Sequence, residues 1–370
     1  MDNAATHLGN FGQPNVNSPY AIEYKNKFED ARKEIGMCLN CDPERIYFTS
    51  GGCESNSWAL QRCGCKTIVT TKIEHPSILN CCEWLEKNGY TIHYLDVDEH
   101  GYVDMLELDQ ILNEIPAGVP VLVSIKAVNN EIGTVQDLRA IRKFIDYHNE
   151  LRIKKATETL DYFTEHIYFH TDAVQAIGHI PIDINLVDML SASGHKFGTD
   201  TGVGFLYSRI PLQPLIFGGS QEKNLRGGTS NYDAVVRMAA SLDGKCSNSY
   251  VMQHCQDMIA YLRRRLSVFD CIFNTPEEST SNILSVSFKD VDAEKLMAFL
   301  TDFEVYVSAG SACHTDHKEA SHVLKAIGVP QEYINGTIRF SVSELIGEKH
   351  IDYVVSLINQ FVLPKGESHE

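Results

Sequence analysis

Apolar positions along the first two thirds of the chain switch repeatedly between a period of two and a period near 3.6. Tyr24, Phe28, Ala31 and Ile35 fall at helical spacing and predict an amphipathic helix. Residues 45–50 then read as a strand closed by Gly51 and Gly52, with helix-forming residues from Glu54 onward. The alternation continues with strands at 66–71, 91–97, 121–128, 167–172, 187–190 and 203–208. Between them lie helices starting at Pro76, around Leu108, Leu112 and Ile115, and over 137–151. Strand–helix alternation of this kind predicts a mostly parallel sheet covered by helices on both faces. Ligands of such sheets bind outside the carboxyl ends of the strands. The turn after Phe48, His75, Asn130 and the segment after Phe169 all fall at those ends.

Beyond about Lys245 the pattern changes. A long helix around Met258, Leu262 and Leu266 precedes a strand at 282–288 and a helix carrying Leu296, Leu300 and Phe303. A strand from Val305 runs into a loop of small residues with Cys313, followed by a helix with Val323 and Ile327. A strand at 337–341 and a terminal helix through Ile351, Val355 and Ile358 complete a second, smaller α/β unit. The expected division is a large domain over 11–245 and a small domain of 1–10 with 246–370. The charged stretch 150–166 reads as an extended surface helix or loop.

A net charge of −17 lacks the basic footprint of a nucleic-acid or anionic-membrane partner. No apolar run is long enough to span a bilayer, and the first residues carry no export signal, so the expected location is cytoplasmic. In that setting the eleven cysteines read as free thiols. Cys38/Cys41, Cys63/Cys65 and Cys81/Cys82 are close pairs, but no second Cys-x-x-Cys completes a zinc site, and they read as apolar packing with no metal.

Candidate chemistry gathers in the loops. A strand, a Gly51-Gly52 turn and a helix start together make an anion site, because free amides converge there. Lys196, in Ser191-Ala-Ser-Gly-His-Lys-Phe-Gly198, follows the strand at 187–190 and can form a Schiff base with a carbonyl cofactor if its amine is desolvated. Taken singly, an exposed loop lysine, a solvated histidine at 75 and a helix-capping Asp172 are the plainer alternatives.

Eight collinear motifs change that balance: Thr49-Ser-Gly-Gly-Cys-Glu-Ser-Asn56, Glu74-His75, Val128-Asn-Asn-Glu-Ile-Gly133, Asp172-Ala-Val-Gln175, Ser193-Gly-His-Lys196, Arg226-Gly-Gly-Thr229, Ser308-Ala-Gly-Ser-Ala-Cys313 and Ile338-Arg-Phe-Ser341. Together they resemble the cysteine desulfurases, pyridoxal 5'-phosphate (PLP) enzymes of the class V aminotransferase group with the fold-type I architecture. The cysteine loop is similar to that of the longer-loop subgroup. The resemblance implies that Lys196 carries the cofactor and moves a proton. Asp172 would pair with the pyridinium nitrogen, Gln175 would bond the phenolic oxygen, and His75 would stack on the ring. Gly52, Cys53, Ser193 and His195 would hold the phosphate, with Thr229 reaching the phosphate of a partner subunit in a homodimer. Asn130 would contact cofactor and substrate, Arg339 would fork the substrate carboxylate, and Cys313 would be the nucleophile that takes sulfur from L-cysteine and leaves L-alanine. A sulfur-acceptor protein, as in iron–sulfur cluster assembly, would follow. Alternatives within reach of the same motifs are a selenocysteine lyase, a related PLP β-lyase, or a silent platform that keeps only the fold.

Three positions depart from the family pattern. Cys53 stands where threonine is usual, Gly227 where serine or another small residue is usual, and Ser343-Glu344 where Gly-Arg is common. A thiol is a weaker hydrogen-bond donor than a hydroxyl. Cys53→Thr is therefore expected to bind PLP more tightly in an absorbance titration; equal or weaker binding by the variant would contradict this.

Overall fold

The computed structural model describes residues 19–155, 166–246, 249–279, 281–309 and 321–362. A seven-stranded sheet has the order β1-β7-β6-β5-β4-β2-β3. Its strands are β1 (Ile46–Thr49), β2 (Thr67–Thr71), β3 (Thr91–Leu95), β4 (Val121–Ser124), β5 (Ile167–Asp172), β6 (Met189–Ser193) and β7 (Gly204–Ser208). Only β7 runs against the others, being antiparallel to both β1 and β6. The carboxyl ends of β1, β2, β4, β5 and β6 therefore open on one edge.

The helices α1 (Pro19–Cys38), α2 (Gly52–Arg62), α3 (Pro76–Lys87), α4 (Met105–Glu114) and α5 (Leu138–Lys155) cover the sheet with a later helix, Tyr232–Cys246. Period-two alternation decides which residue meets which layer. Val69, Val121 and Val123 join a core with α1, α4, α5 and the 232–246 helix. Ile68 and Leu122 point the other way, into a second core with Trp58 and Leu60 of α2 and Ile78, Cys82 and Leu85 of α3. Cys63, Cys65 and Cys82 are buried free thiols, in line with the packing reading.

A separate antiparallel sheet has the order β10-β11-β9-β8, formed by β8 (Cys271–Phe273), β9 (Ile283–Phe288), β10 (Ser308–Ala309) and β11 (Thr337–Ser341). The helices Ser249–Leu266, Ala293–Thr301 and Glu348–Val362 pack on it around Phe288, Leu296 and Ile358. The loop 129–133 bridges the two sheets. Gly133 has φ +73°, and a Cβ there would lie 2.9 Å from the carbonyl oxygen of Ile283, so only glycine fits.

Some element bounds differ from the sequence expectation. The strand expected at 187–190 runs instead from Met189 to Ser193, because the small residues of Ser191-Ala-Ser pair with both β5 and β7. The strand expected at 121–128 ends at Ser124, although Ile125 and Ala127 still donate to the carbonyls of His170 and Asp172. The extended-surface reading of 150–166 holds as helix to Lys155; residues 156–165 lie outside the described ones.

Glu222 anchors the segment that leads to Thr229. It is buried in the left-handed region (φ +44°), and its carboxylate accepts a fork from the buried Arg32, at 2.9 Å to each oxygen, and the amide of Phe48 at 2.9 Å. Removing one partner of a buried pair leaves the other charge uncompensated. Glu222→Ala is expected to cost about 3–5 kcal/mol in urea unfolding; a loss below about 1 kcal/mol, the size of an exposed pair, would show that the pair is solvated.

Candidate active site

The turn after β1 opens the site. Gly51, at φ +146°, is the N-cap of α2 and supplies no side-chain acceptor, so the first amides of α2 are left for an anion. Glu54 reaches back to the amide of Ser50 at 2.8 Å and pairs with Arg226 at 2.8 Å, which ties this turn to the segment carrying Thr229. A Cβ at Gly52 would lie 2.6 Å from Val174 and 3.7 Å from Ser193, so the ends of β1, β5 and β6 meet here. Ser193 is buried and its Oγ lies 3.0 Å from Nδ1 of His195.

A hydrogen-bonded chain runs across the neighbouring strand ends. Asn56 of α2, almost fully buried, donates from Nδ2 to the Asp172 carboxylate at 2.8 Å and to Ser77 Oγ at 2.9 Å. Asp172 also accepts the amide of Val174 at 3.0 Å. His75 is the N-cap of α3, and its Nδ1 accepts the amide of Ser77 at 3.1 Å and lies 2.9 Å from Ser77 Oγ. A nitrogen that accepts carries no proton, so the neutral ring holds its hydrogen on Nε2. Burial and then the nearby Lys126 lower the His75 pKa, which keeps the ring neutral. His170, beneath this layer, joins Ser124 at 2.9 Å and Ser191 at 3.0 Å, and burial pushes its pKa down to about 4.

Two further charged groups follow β2 and β4: Glu74, quoted in a motif without a role, and Lys126, which sequence reasoning passed over. Glu74 is fully buried; its Oε1 accepts from Thr71 Oγ1 at 2.7 Å and from the Lys126 amide at 3.1 Å, while Oε2 has no partner among the described residues. Burial pushes its carboxyl up to about 7, against the pull of Lys126 and Thr71. Lys126 is itself buried and donates to Asn130 Oδ1 at 3.0 Å. Arg339 of β11 arrives from the other sheet, donating to the Asn130 carbonyl at 2.8 Å and to Ser308 Oγ at 3.2 Å.

The expected site residues are distributed as follows. His75, Asp172, Ser193, His195, Gly52 and Cys53 sit at adjoining strand ends, and Asn130 and Arg339 touch. Lys196 is exposed in the 3₁₀ turn Gly194–Lys196, and its carbonyl accepts from His179 Nε2 at 2.7 Å. Gln175 is half-buried after β5. Thr229 is exposed, with no hydrogen bond to the other candidates among the described residues. Cys313 lies outside the described residues. Glu344, in the pair that departs from the family's Gly-Arg, is tied to Lys245 at 3.4 Å. Of the residues overlooked, Lys126 had a signal, a lone charge ending the apolar run at 121–125; Asn56 stood inside a quoted motif without a role.

This donor set fits a phosphorylated pyridine aldehyde. A Cβ at Gly52 would clash with Val174 and Gly51 has φ +146°, the helix amides suit a phosphate, and Asp172 has no cationic partner of its own among the described residues. Lys196 offers an amine at the end of β6, although its side chain is exposed and not desolvated as the sequence expectation required.

Residues 9–354 match the family model described as aminotransferase class-V. The chain is 34% identical to the cysteine desulfurase IscS of Methanosarcina thermophila over 371 residues, covering 95% of this chain and 85% of that one. It superposes on a solved NifS-like protein with a TM-score of 0.83 at 31% identity, covering 95% of this chain and 91% of the other. A structure described as SspA in complex with cysteine gives 0.73 at 28% identity, with 90% of each chain covered.

Glu74 has a folded pKa, about 7, above its unfolded one. Its contribution to stability is therefore complete below pH 4 to 5 and lost as pH rises through about 7. Glu74→Gln retains the acceptor and removes the charge. Between pH 4 and pH 8 the variant should gain on the wild type by on the order of 3 kcal/mol in chemical denaturation. Parallel pH profiles of the two proteins would contradict this.

Proposed function

Because the chain belongs to the class-V aminotransferases and is a PLP-dependent cysteine desulfurase, we propose that its persulfide forms on Cys313 and that Lys196, Asp172 and His75 serve the cofactor. The observation that carries the assignments of Asp172 and His75 is the directed chain Asn56–Asp172 and Asn56–Ser77–His75 at the carboxyl edge of the sheet; those of Lys196 and Cys313 rest on the motifs that carry them. Bound PLP supplies an electron sink for the bond from the substrate Cα to its hydrogen.

The side chains divide the remaining work. Asp172, held by Asn56 and the Val174 amide, keeps one side open to a protonated ring nitrogen. His75, neutral and locked by Ser77, offers a flat face for stacking, and Gln175 a donor for the phenolic oxygen. The α2 amides at Gly52 and Cys53, with Ser193 and His195, receive the phosphate. Arg339 and Asn130 orient the substrate, the guanidinium forking the carboxylate of L-cysteine. The Lys196 amine takes the Cα proton. The Cys313 thiolate then attacks the substrate sulfur: an S–S bond forms, the bond from Cβ to sulfur breaks, and L-alanine leaves once Cβ has taken a proton and Lys196 has returned one to Cα.

Wider assignments belong to the same proposal. In this reading the large domain spans 11–245 and the small one 1–10 with 246–370; the two separate sheets and cores support the boundary near 245, and residues 1–10 lie outside the described ones. A homodimer with Thr229 reaching the partner's phosphate site is supported by its exposure beyond the Glu222 and Arg226 anchors. Transfer to an acceptor protein, as in iron–sulfur cluster assembly, is supported by the IscS relatives. No helix among the described residues is long and apolar enough to cross a membrane, and a cytoplasmic site of action suits a nucleophilic thiol beside free cysteines.

Cys313→Ala should retain the absorbance of bound PLP yet lose release of alanine and sulfide from L-cysteine. Mass spectrometry of the wild type after brief exposure to cysteine should show one added sulfur on the peptide containing Cys313. Full turnover by the variant would reject the role given to Cys313.

A further inference from the structure

Lys126 is a lysine where the fold offers little to hold a charge. It follows β4, is only 3% exposed, and forms no ion pair within 4.0 Å among the described residues. A buried ammonium costs several kcal/mol unless its surroundings compensate for it. Glu74 is the counter-charge that its field favours, but the carboxylate bonds the Lys126 backbone amide and not the ammonium. The ammonium is spent instead on a neutral group, Oδ1 of Asn130, at 3.0 Å.

That contact has a strict consequence. An ammonium has donors and no acceptor, so the amide oxygen of Asn130 must face it. The amide nitrogen is thereby turned the other way, as a donor only. A neutral or apolar residue at 126 would leave the amide free to flip and to present oxygen or nitrogen alike. On its other side Asn130 is fixed by Arg339, which bonds its carbonyl at 2.8 Å. Two cations thus bracket one residue, one setting its backbone and the other its side chain.

We propose that Lys126 is a positioning residue that makes Asn130 an obligate amide donor to the α-carboxylate of the substrate, so that preference for a carboxylate-bearing thiol depends on Lys126 and Asn130 as well as on Arg339. The proposal rests on the reading of Asn130 as a substrate residue given above. A lysine that merely balanced Glu74 would change stability and leave the discrimination between substrates untouched.

The test uses the PLP-loaded enzyme carrying Lys126→Met, Asn130→Ala or both. Methionine matches the unbranched stem and removes the charge, so melting of the cofactor-free protein should not fall. Lys126→Met should raise KM for L-cysteine about tenfold with kcat within about threefold, the signature of lost uniform binding. It should raise by a similar factor the Kd of L-alanine, read from the absorbance of bound cofactor. Cysteamine, which lacks the carboxylate, should bind the wild type and Lys126→Met equally. The double variant should be no weaker than Asn130→Ala alone, because the lysine acts through the amide. Lys126→Gln, whose amide can donate or accept, provides a second variant if methionine does not fold, with an intermediate KM. Unchanged KM and alanine Kd in Lys126→Met, with Asn130→Ala weakened, would overturn the proposal and leave the role of Asn130 standing. Full additivity in the double variant would also overturn it. An Asn130→Ala variant with unchanged binding would remove the role of Asn130 and this proposal together.

Discussion

One amide holds the centre of this molecule. Asn56 donates to the Asp172 carboxylate at 2.8 Å and to Ser77 Oγ at 2.9 Å, so α2, the end of β5 and the start of α3 are bound through one side chain. Both donations run from nitrogen, which fixes the amide and leaves Oδ1 without a partner among the described residues. Asp172 is satisfied by neutral donors alone, the Asn56 amide and the Val174 backbone. A carboxylate held by dipoles stays oriented and keeps its charge available, whereas an arginine in the same place would have consumed it. The same bonds pass through Ser77 to Nδ1 of His75 and select its tautomer. Preparing a buried anion and a neutral ring in one network is what a cofactor that must accept electron density needs.

Around this network the charges are spaced and not cancelled. His75 feels Lys126, Lys196 and His322 as lowering influences and Asp172 as a raising one, and burial outweighs them all. Glu74, with its carboxyl near 7, sits between holding and releasing its charge close to neutral pH, while Lys126 and Asp172 pull it in opposite directions. Such spacing costs stability, since each buried charge lacks a direct ionic partner. By contrast the Arg32–Glu222 fork, away from the strand ends, is fully paired. The unpaired charges gather where chemistry occurs and the paired ones where segments are anchored, as expected when local strain is kept for function.

Much of this was legible in the sequence, for a local reason. Several strand ends are followed by a candidate residue within a few positions, so Thr49 with Gly51, Thr71 with His75, and Asp172 itself are read from one window each. Parallel topology then brings them to one edge without further information. What escaped depends on contacts between windows. The run Ser191-Ala-Ser reads as loop by composition and becomes strand because β5 and β7 flank it. Asn56 lies 116 residues from the carboxylate it binds, and nothing in its neighbourhood marks that pairing. The helix Tyr232–Cys246 was likewise passed over, although it fills one face of the main core.

The loop 129–133 decides how the two sheets share one site. Its polar atoms are taken from both sides: Ile73 and Lys126 belong to the large unit, while Ser279, Ser321 and Arg339 belong to the small one. Apolar packing reinforces this, since Ile73 and Ile132 cluster with Val323, Leu324 and Ile327. Asn130 and Arg339 are therefore held at a seam and not within either core. Any displacement of the small sheet moves Arg339 together with the Asn130 carbonyl it holds, so the two groups read one another's position. The segment that carries Cys313 leaves from β10, which is hydrogen-bonded to β11 opposite Arg339 itself. On the proposed roles, the strand pair β10–β11 holds Arg339 and precedes Cys313 in the chain, while Asp172 and His75 stand at the carboxyl edge of the other sheet.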